Sequence, residues 1–110
     1  MQAKMNRIAF WIEETKPFII KKMFINKLGE SGFGILKQTE HYFEPQGYTG
    51  LWLLSESHFA VHTFPEENKT YVELSSCIDE PFFVFLSKIK DIKKEVIING
   101  KTEKQNTDTR

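Results

Sequence analysis

Ser57, His62 and Cys77 are the side chains in this 110-residue sequence best suited to bond-making chemistry. A hydroxyl and a thiol can act as nucleophiles or acids, and an imidazole can move their protons. The three fall on consecutive predicted strands. Strands joined by tight turns lie about 5 Å apart, so residues from each can meet at one spot on a sheet. The spacing permits a cluster without requiring one. Read blandly, Cys77 is a buried thiol and His62 a satisfied core histidine. His58 and His62 would share a metal ion if they stood on a helix, but a strand sets them far apart along its length, so no metal-ligand spacing is present.

The elements that must position these groups follow from periodicity. Arg7 to Glu13 is a short apolar stretch that reads as an edge strand. From Pro17 to about Leu28, apolar residues at Ile20, Phe24 and Leu28, with Ile19 and Met23 beside them, predict a helix that buries one stripe. Gly29, Gly32 and Gly34 end it, and Ile35 to Phe43 alternates as a half-buried strand. After the turn Gln46 to Gly50, a hydrophobic strand begins at Leu51 and is interrupted by the polar group Ser55-Glu56-Ser57. It resumes with Phe59, Val61 and Thr63 on one face and His58, Ala60, His62 and Phe64 on the other.

A turn at Pro65 to Lys69 leads to a strand from Thr70 to Ser76. Asp79-Glu80-Pro81 opens a helix to about Lys90, with the stripe Phe82, Phe85, Leu86 and Ile89. Ile92 to Ile98 reads as a last strand, stopped by Asn99-Gly100. This order predicts an α+β fold, a two-layer sandwich of an antiparallel sheet with helices packed on one face. Residues 1–98 form one domain in this reading, and residues 99–110 form a polar, disordered tail because Lys101 to Arg110 holds no apolar residue. A sheet covered on one side invites a second copy, so a homodimer or higher homo-oligomer is expected.

Fifteen Lys and Arg balance fifteen Asp and Glu, which removes the positive field that a nucleic-acid partner would need. A single cysteine makes no internal disulfide and suits a reducing compartment, the cytoplasm. No apolar run approaches the roughly 20 residues that span a bilayer, so no membrane partner is expected. The Lys-rich stretches around Lys21, Lys88 and Lys93 read as solvated faces.

The segment Gly47 to Glu66 is similar to the signature of the prokaryotic, pyruvoyl-dependent S-adenosylmethionine decarboxylase proenzymes. The likeness centres on Leu54-Ser55-Glu56-Ser57-His58 and His62-Thr63-Phe64-Pro65-Glu66, with Cys77 at the family's spacing downstream. It is strong from about His41 to Cys77 and pattern-level through the two helices. It implies autocatalytic serinolysis of the Glu56–Ser57 bond, giving a β chain of residues 1–56 and an α chain of residues 57–110. Ser57 would become the pyruvoyl group that forms a Schiff base with S-adenosylmethionine, with no metal and no pyridoxal phosphate. His62 would be the proton acceptor in processing, Thr49 would assist it, and Cys77 would be the proton donor in decarboxylation.

The same resemblance makes Phe43 the ring that stacks on adenine, Glu66 the acceptor for the ribose hydroxyls and Glu56 a further substrate contact. The implied product is the aminopropyl donor of spermidine biosynthesis. The sequence departs from the usual pattern in lacking a Gly-Lys-His opening and in placing Phe64 where tryptophan or tyrosine is frequent and Ile78 where glycine is common. Rival readings are a pyruvoyl-dependent arginine or ornithine decarboxylase, an inactive regulatory homologue, and a plain α+β interaction module.

Overall fold

The computed structural model describes residues 3–98 and 101–104. Its strands are β1 (Asn6–Ile12), β2 (Ile35–Tyr42), β3 (Tyr48–Leu54), β4 (Ser57–Phe64), β5 (Lys69–Ser76), β6 (Glu95–Ile98) and β7 (Lys101–Lys104). Two helices, α1 (Pro17–Ser31) and α2 (Asp79–Lys88), and a 3-10 turn at Pro65–Glu67 complete the chain's elements among the described residues. The strands form one sheet in the order β2-β3-β4-β5-β1-β6-β7, with every neighbour antiparallel.

The predicted stripes carry both helices onto the same face. Ile20, Phe24 and Leu28 of α1 and Phe82 and Phe85 of α2 join Phe10, Trp52, Leu54, Phe59, Val61, Val72 and Leu74 of the sheet in one core. Phe59 is its centre, with its ring 5.1 Å from that of Phe24 and 6.0 Å from that of Phe85. Burying a side chain of this size contributes about 2 kcal/mol. The expected two-layer α+β arrangement is the one observed.

Several details differ from the expectation. The first strand is interior, since β1 pairs along its whole length with β5 and at Phe10 and Trp11 with β6. The edge is instead β2, which has a single neighbour and is exposed at all eight positions. Helix α1 passes through Gly29 and ends where Gly32, at φ 105°, turns its N–H back to the carbonyls of Leu28 and Gly29. The last strand starts at Glu95 rather than Ile92.

The tail is also corrected in part, because Lys101–Lys104 pair with β6 in register from Glu95↔Lys104 to Ile98↔Lys101. Strand pairing uses backbone groups, so a segment without apolar side chains can extend an open edge. Residues 99–100 and 105–110, which the same expectation covered, lie outside the described residues.

The polar interruption Ser55-Glu56 is a two-residue turn that reverses the chain, with Leu54 paired to Ser57 across it. β3 and β4 are therefore one tight hairpin. Its helix-facing positions are Tyr48, Gly50, Trp52 and Leu54 on β3 and Ser57, Phe59, Val61 and Thr63 on β4. Its open face carries Thr49, Leu51, Leu53, His58, Ala60, His62 and Phe64.

Candidate functional site

Glu56 closes the hairpin turn at φ 59°, a left-handed conformation that costs a residue with a Cβ about 1 kcal/mol. The turn is held from two sides. Ser55 donates its N–H to the Gly34 carbonyl at 3.1 Å, and the Glu56 carbonyl accepts the Cys77 backbone N–H at 3.2 Å. The Cys77 thiol donates to the same Glu56 oxygen at 3.3 Å. Cys77 itself is exposed, one residue beyond β5. The peptide carbonyl before Ser57 therefore sits under two donors from one residue, the arrangement that stabilises charge building on an oxygen.

Ser57 is nearly buried and donates its hydroxyl to Ser76 Oγ at 2.7 Å. Ser57 and Ser76 are register partners across β4 and β5. Ser76 is fully buried, accepts the Ile78 N–H at 3.1 Å and donates to the Ile78 carbonyl at 3.2 Å. This turn leads directly into α2, whose first residue Asp79 binds Lys4 and Asn6. Hydrogen bonds from Asn6 and Lys4 hold the Asp79 carboxyl below the usual carboxylate range.

His62 is elsewhere. It pairs in register with Thr49, and Thr49 Oγ1 lies 2.9 Å from His62 Nδ1, a bond that fixes the ring's direction. The His62 ring also packs 5.8 Å from Tyr71. Burial first, and then the hydrogen bond to Glu73, push the Tyr71 phenol up to about 12. Ser57 and His62 are five positions apart on one strand, so they face opposite sides of the sheet about 16 Å apart along it. One chain brings Ser57, Glu56 and Cys77 together and leaves His62 and Thr49 away from them.

Phe43 and Glu66 belong to the His62 end. Phe43 donates its N–H to the Gly47 carbonyl at 2.8 Å across a tight loop that needs Gly47 at φ 113°. Its ring is half exposed, lies 4.5 Å from His41 and lines a cleft of about 330 Å³ with Tyr42, Gln46, Tyr48, Thr63 and Pro65. Glu66 follows Pro65 and accepts from Gln46 Nε2 at 3.4 Å. An aromatic face and a carboxylate thus flank one opening, and Gln46 joins them.

Sequence reasoning passed over two residues of these constellations. Ser76 carries no motif, yet the alternation Thr70, Val72, Leu74, Ser76 places it on the helix-facing side with Ser57. Gln46 was read as turn chemistry alone. Among the described residues, no group of three His, Cys, Asp or Glu could hold a metal ion, and no helix is long and apolar enough to cross a membrane.

The sequence pattern of the family described as S-adenosylmethionine decarboxylase matches residues 15–96. A protein named S-adenosylmethionine decarboxylase proenzyme from Prochlorococcus marinus is 46% identical over 50 residues, covering 46% of this chain and 40% of that one. Its namesake from Bacillus velezensis is 37% identical over 60 residues, covering 54% and 48%. The match to these two therefore spans less than half of their length. The one from Methanococcus maripaludis is 29% identical over 96 residues, covering 76% and 79%. In three dimensions the chain resembles the adenosylmethionine decarboxylase from Aquifex aeolicus with a TM-score of 0.70 at 16% identity, each chain covered completely, a likeness of fold.

Proposed function

The chain belongs to the S-adenosylmethionine decarboxylase family, and from that premise we propose that it is a zymogen that cuts itself between Glu56 and Ser57 and then decarboxylates S-adenosylmethionine. The product would be the aminopropyl donor for spermidine, and the reaction class is that of a carboxy-lyase. The observation that carries this reading is the Glu56 carbonyl, held by the Cys77 N–H and thiol beside a nearly buried serine hydroxyl.

Ser57 Oγ attacks the Glu56 carbonyl carbon through a five-membered ring, so proximity costs little. The oxygen–carbon bond forms, the carbon–nitrogen bond breaks, and the hydroxyl proton ends on the freed amine. Charge that builds on the carbonyl oxygen meets the two Cys77 donors. Cutting the bond also releases the left-handed Glu56 backbone. The resulting ester loses the Ser57 α-proton to His62, and the Glu56 carboxylate leaves. Hydrolysis of the dehydroalanine then frees ammonia and leaves the pyruvoyl group.

Ser57 fits that group as its precursor, since its preceding carbonyl is already held where it must break. The pyruvoyl carbonyl supplies an electron sink for loss of carbon dioxide without metal or pyridoxal phosphate. Around it, Phe43 takes the adenine face, Glu66 the ribose hydroxyls and Glu56 a further substrate contact. Cys77, exposed beside the Glu56 oxygen, returns a proton to the substrate carbon.

His62 and its register partner Thr49 stand about 16 Å along the hairpin from Ser57, with Phe43 and Glu66 beyond them, so in this reading they reach Ser57 from a second copy. A homodimer is therefore part of the reading, each site drawing on both protomers. The uncovered sheet face supports it, with Leu51, Leu53 and Phe64 exposed there. The unpaired Cys77 supports the cytoplasm as its compartment.

Purified wild-type protein weighed intact is expected to give two fragments divided at Glu56/Ser57, whereas Ser57→Ala stays whole. Carbon dioxide release is expected from S-adenosylmethionine and not from arginine or ornithine assayed in parallel. A wild-type chain that remains uncut after prolonged incubation sinks the proposal.

A further inference from the structure

Ser57 reacts only if a lone pair on Oγ points at the Glu56 carbonyl carbon, and a free serine hydroxyl turns among three rotamers with its proton in any direction. Inside this fold the hydroxyl is not free. Its proton is engaged at 2.7 Å by Ser76 Oγ, and Ser57 is nearly closed to water.

Ser76 is in turn fully committed. It is completely buried, its own proton goes to the Ile78 carbonyl at 3.2 Å, and its second lone pair takes the Ile78 N–H at 3.1 Å. A hydroxyl whose donor and second acceptor site are both used has one remaining role toward Ser57, to accept its proton. With its proton engaged, Ser57 Oγ keeps its lone pairs for attack, one residue after the Glu56 carbonyl that Cys77 holds. The end of β5 and the residue after it thus hold both partners in the cleavage: Ser76 takes the nucleophile by its proton, and Cys77 takes the electrophile by its oxygen.

We infer that Ser76 is a positioning residue for self-cleavage, orienting the Ser57 hydroxyl for attack on the Glu56 carbonyl. The inference rests on the proposed self-cleavage. It concerns the first step alone, in which the Oγ–carbon bond forms, the carbon–nitrogen bond breaks and the hydroxyl proton passes to the freed amine. Ser76 keeps its own proton at the end.

The test follows cleavage of freshly purified full-length protein by intact mass, with and without hydroxylamine, which splits an accumulated ester. Ser76→Ala should fold with an unchanged circular dichroism spectrum and cleave at least about tenfold more slowly, the loss expected for one buried hydrogen bond. Hydroxylamine should not speed it, because no ester has formed. Ser76→Thr, which keeps the hydroxyl, should cleave within about threefold of wild type, a rescue that a purely volumetric role would not give.

Should Ser76→Ala not fold, Ser76→Cys keeps the volume with a weak acceptor and is judged by the same criteria. Wild-type speed in the folded alanine or cysteine variant overturns the inference while leaving self-cleavage intact. So does a slow variant that hydroxylamine splits at once, or an equal defect in alanine and threonine. A wild-type protein that never cuts overturns the proposed function itself.

Discussion

The two ends of the β3–β4 hairpin are built on different principles. At the turn end, buried Ser57 and Ser76 and exposed Glu56 and Cys77 are joined by direct hydrogen bonds, so their geometry is set before any ligand arrives. At the far end the contacts are pairwise and open: Thr49 meets His62 on the open face, Gln46 meets Glu66 at the surface, and half-exposed Phe43 lines a cleft with Gln46. A reaction of the chain on itself needs the first kind of site, where rigidity replaces encounter. Recognition of a substrate from solution needs the second. One strand supplies both, and its two-residue period points them to opposite faces.

The largest test of that division is complementation. Ser57→Ala keeps the open end and loses the turn end, while His62→Ala does the reverse. Each alone should fail to mature, the first uncut and the second stalled as an ester that hydroxylamine splits. When the two chains are expressed together, the His62→Ala chain should be processed because a Ser57→Ala partner supplies its imidazole, and the Ser57→Ala chain should stay whole. Intact mass reads both chains in one sample. Maturation of His62→Ala alone, or no rescue in the mixture, would mean that the two ends do not serve each other across copies.

A second prediction concerns the packing that keeps the ends apart. Gly50 lies midway on β3, and a Cβ there would stand 2.6 Å from Trp52 Cη2 and 2.8 Å from Tyr48 Oη. Tyr48 is anchored by donating to Glu40, which Lys21 also binds, so neither ring yields easily. Gly50→Ala should therefore lose about 2 kcal/mol of stability by overpacking. Urea unfolding in the uncut Ser57→Ala background measures it on a single chain. A loss below about 0.5 kcal/mol would show that the hairpin centre is plastic.

Much of this division was already legible in the residue pattern. The alternation that put Phe59, Val61 and Thr63 on one face and His62 on the other also puts Ser57 with Phe59. An odd separation of five along a strand cannot bring Ser57 and His62 together, so the cluster that the strand order permits is excluded for this pair by the alternation itself. The turn at Ser55-Glu56 was not legible, because left-handed turn positions are read from glycine or asparagine and Glu56 occupies one instead. Exposure of β2 depends on its edge place in the sheet order, which its alternating side chains do not encode. For β7 the charged run Lys101 to Lys104 offers no apolar alternation, so its pairing with β6 is not encoded in side-chain pattern.

A third, smaller effect is electrostatic and belongs to the open face. Tyr71 packs against His62, and burial and Glu73 raise its phenol to about 12 from an ordinary value near 10. A folded-state value above the unfolded one means that Tyr71 contributes its full stability below pH 10 and loses it as pH rises through 12. Melting temperature in the Ser57→Ala background should fall between those pH values, and Tyr71→Phe should reduce the slope. Absorbance of tyrosinate should show one phenol fewer titrating late. An unchanged slope would place the alkaline loss elsewhere.

The smallest expected effect sharpens the comparison most, because it should touch one end alone. Gln46 binds Glu66 through a single long hydrogen bond of 3.4 Å at the surface, where water competes. Gln46→Ala removes only the restraint on the carboxylate, so KM for S-adenosylmethionine should rise about threefold, or ~0.6 kcal/mol. The bond is the same in ground and transition states if Glu66 holds the ribose, so kcat should not change. Cleavage at Glu56–Ser57 should run at the wild-type rate, since the turn end makes no contact with Gln46 in its own hydrogen-bond network. A fall in kcat, or slowed cleavage, would mean that the cleft reaches the self-processing site and that the two ends are one.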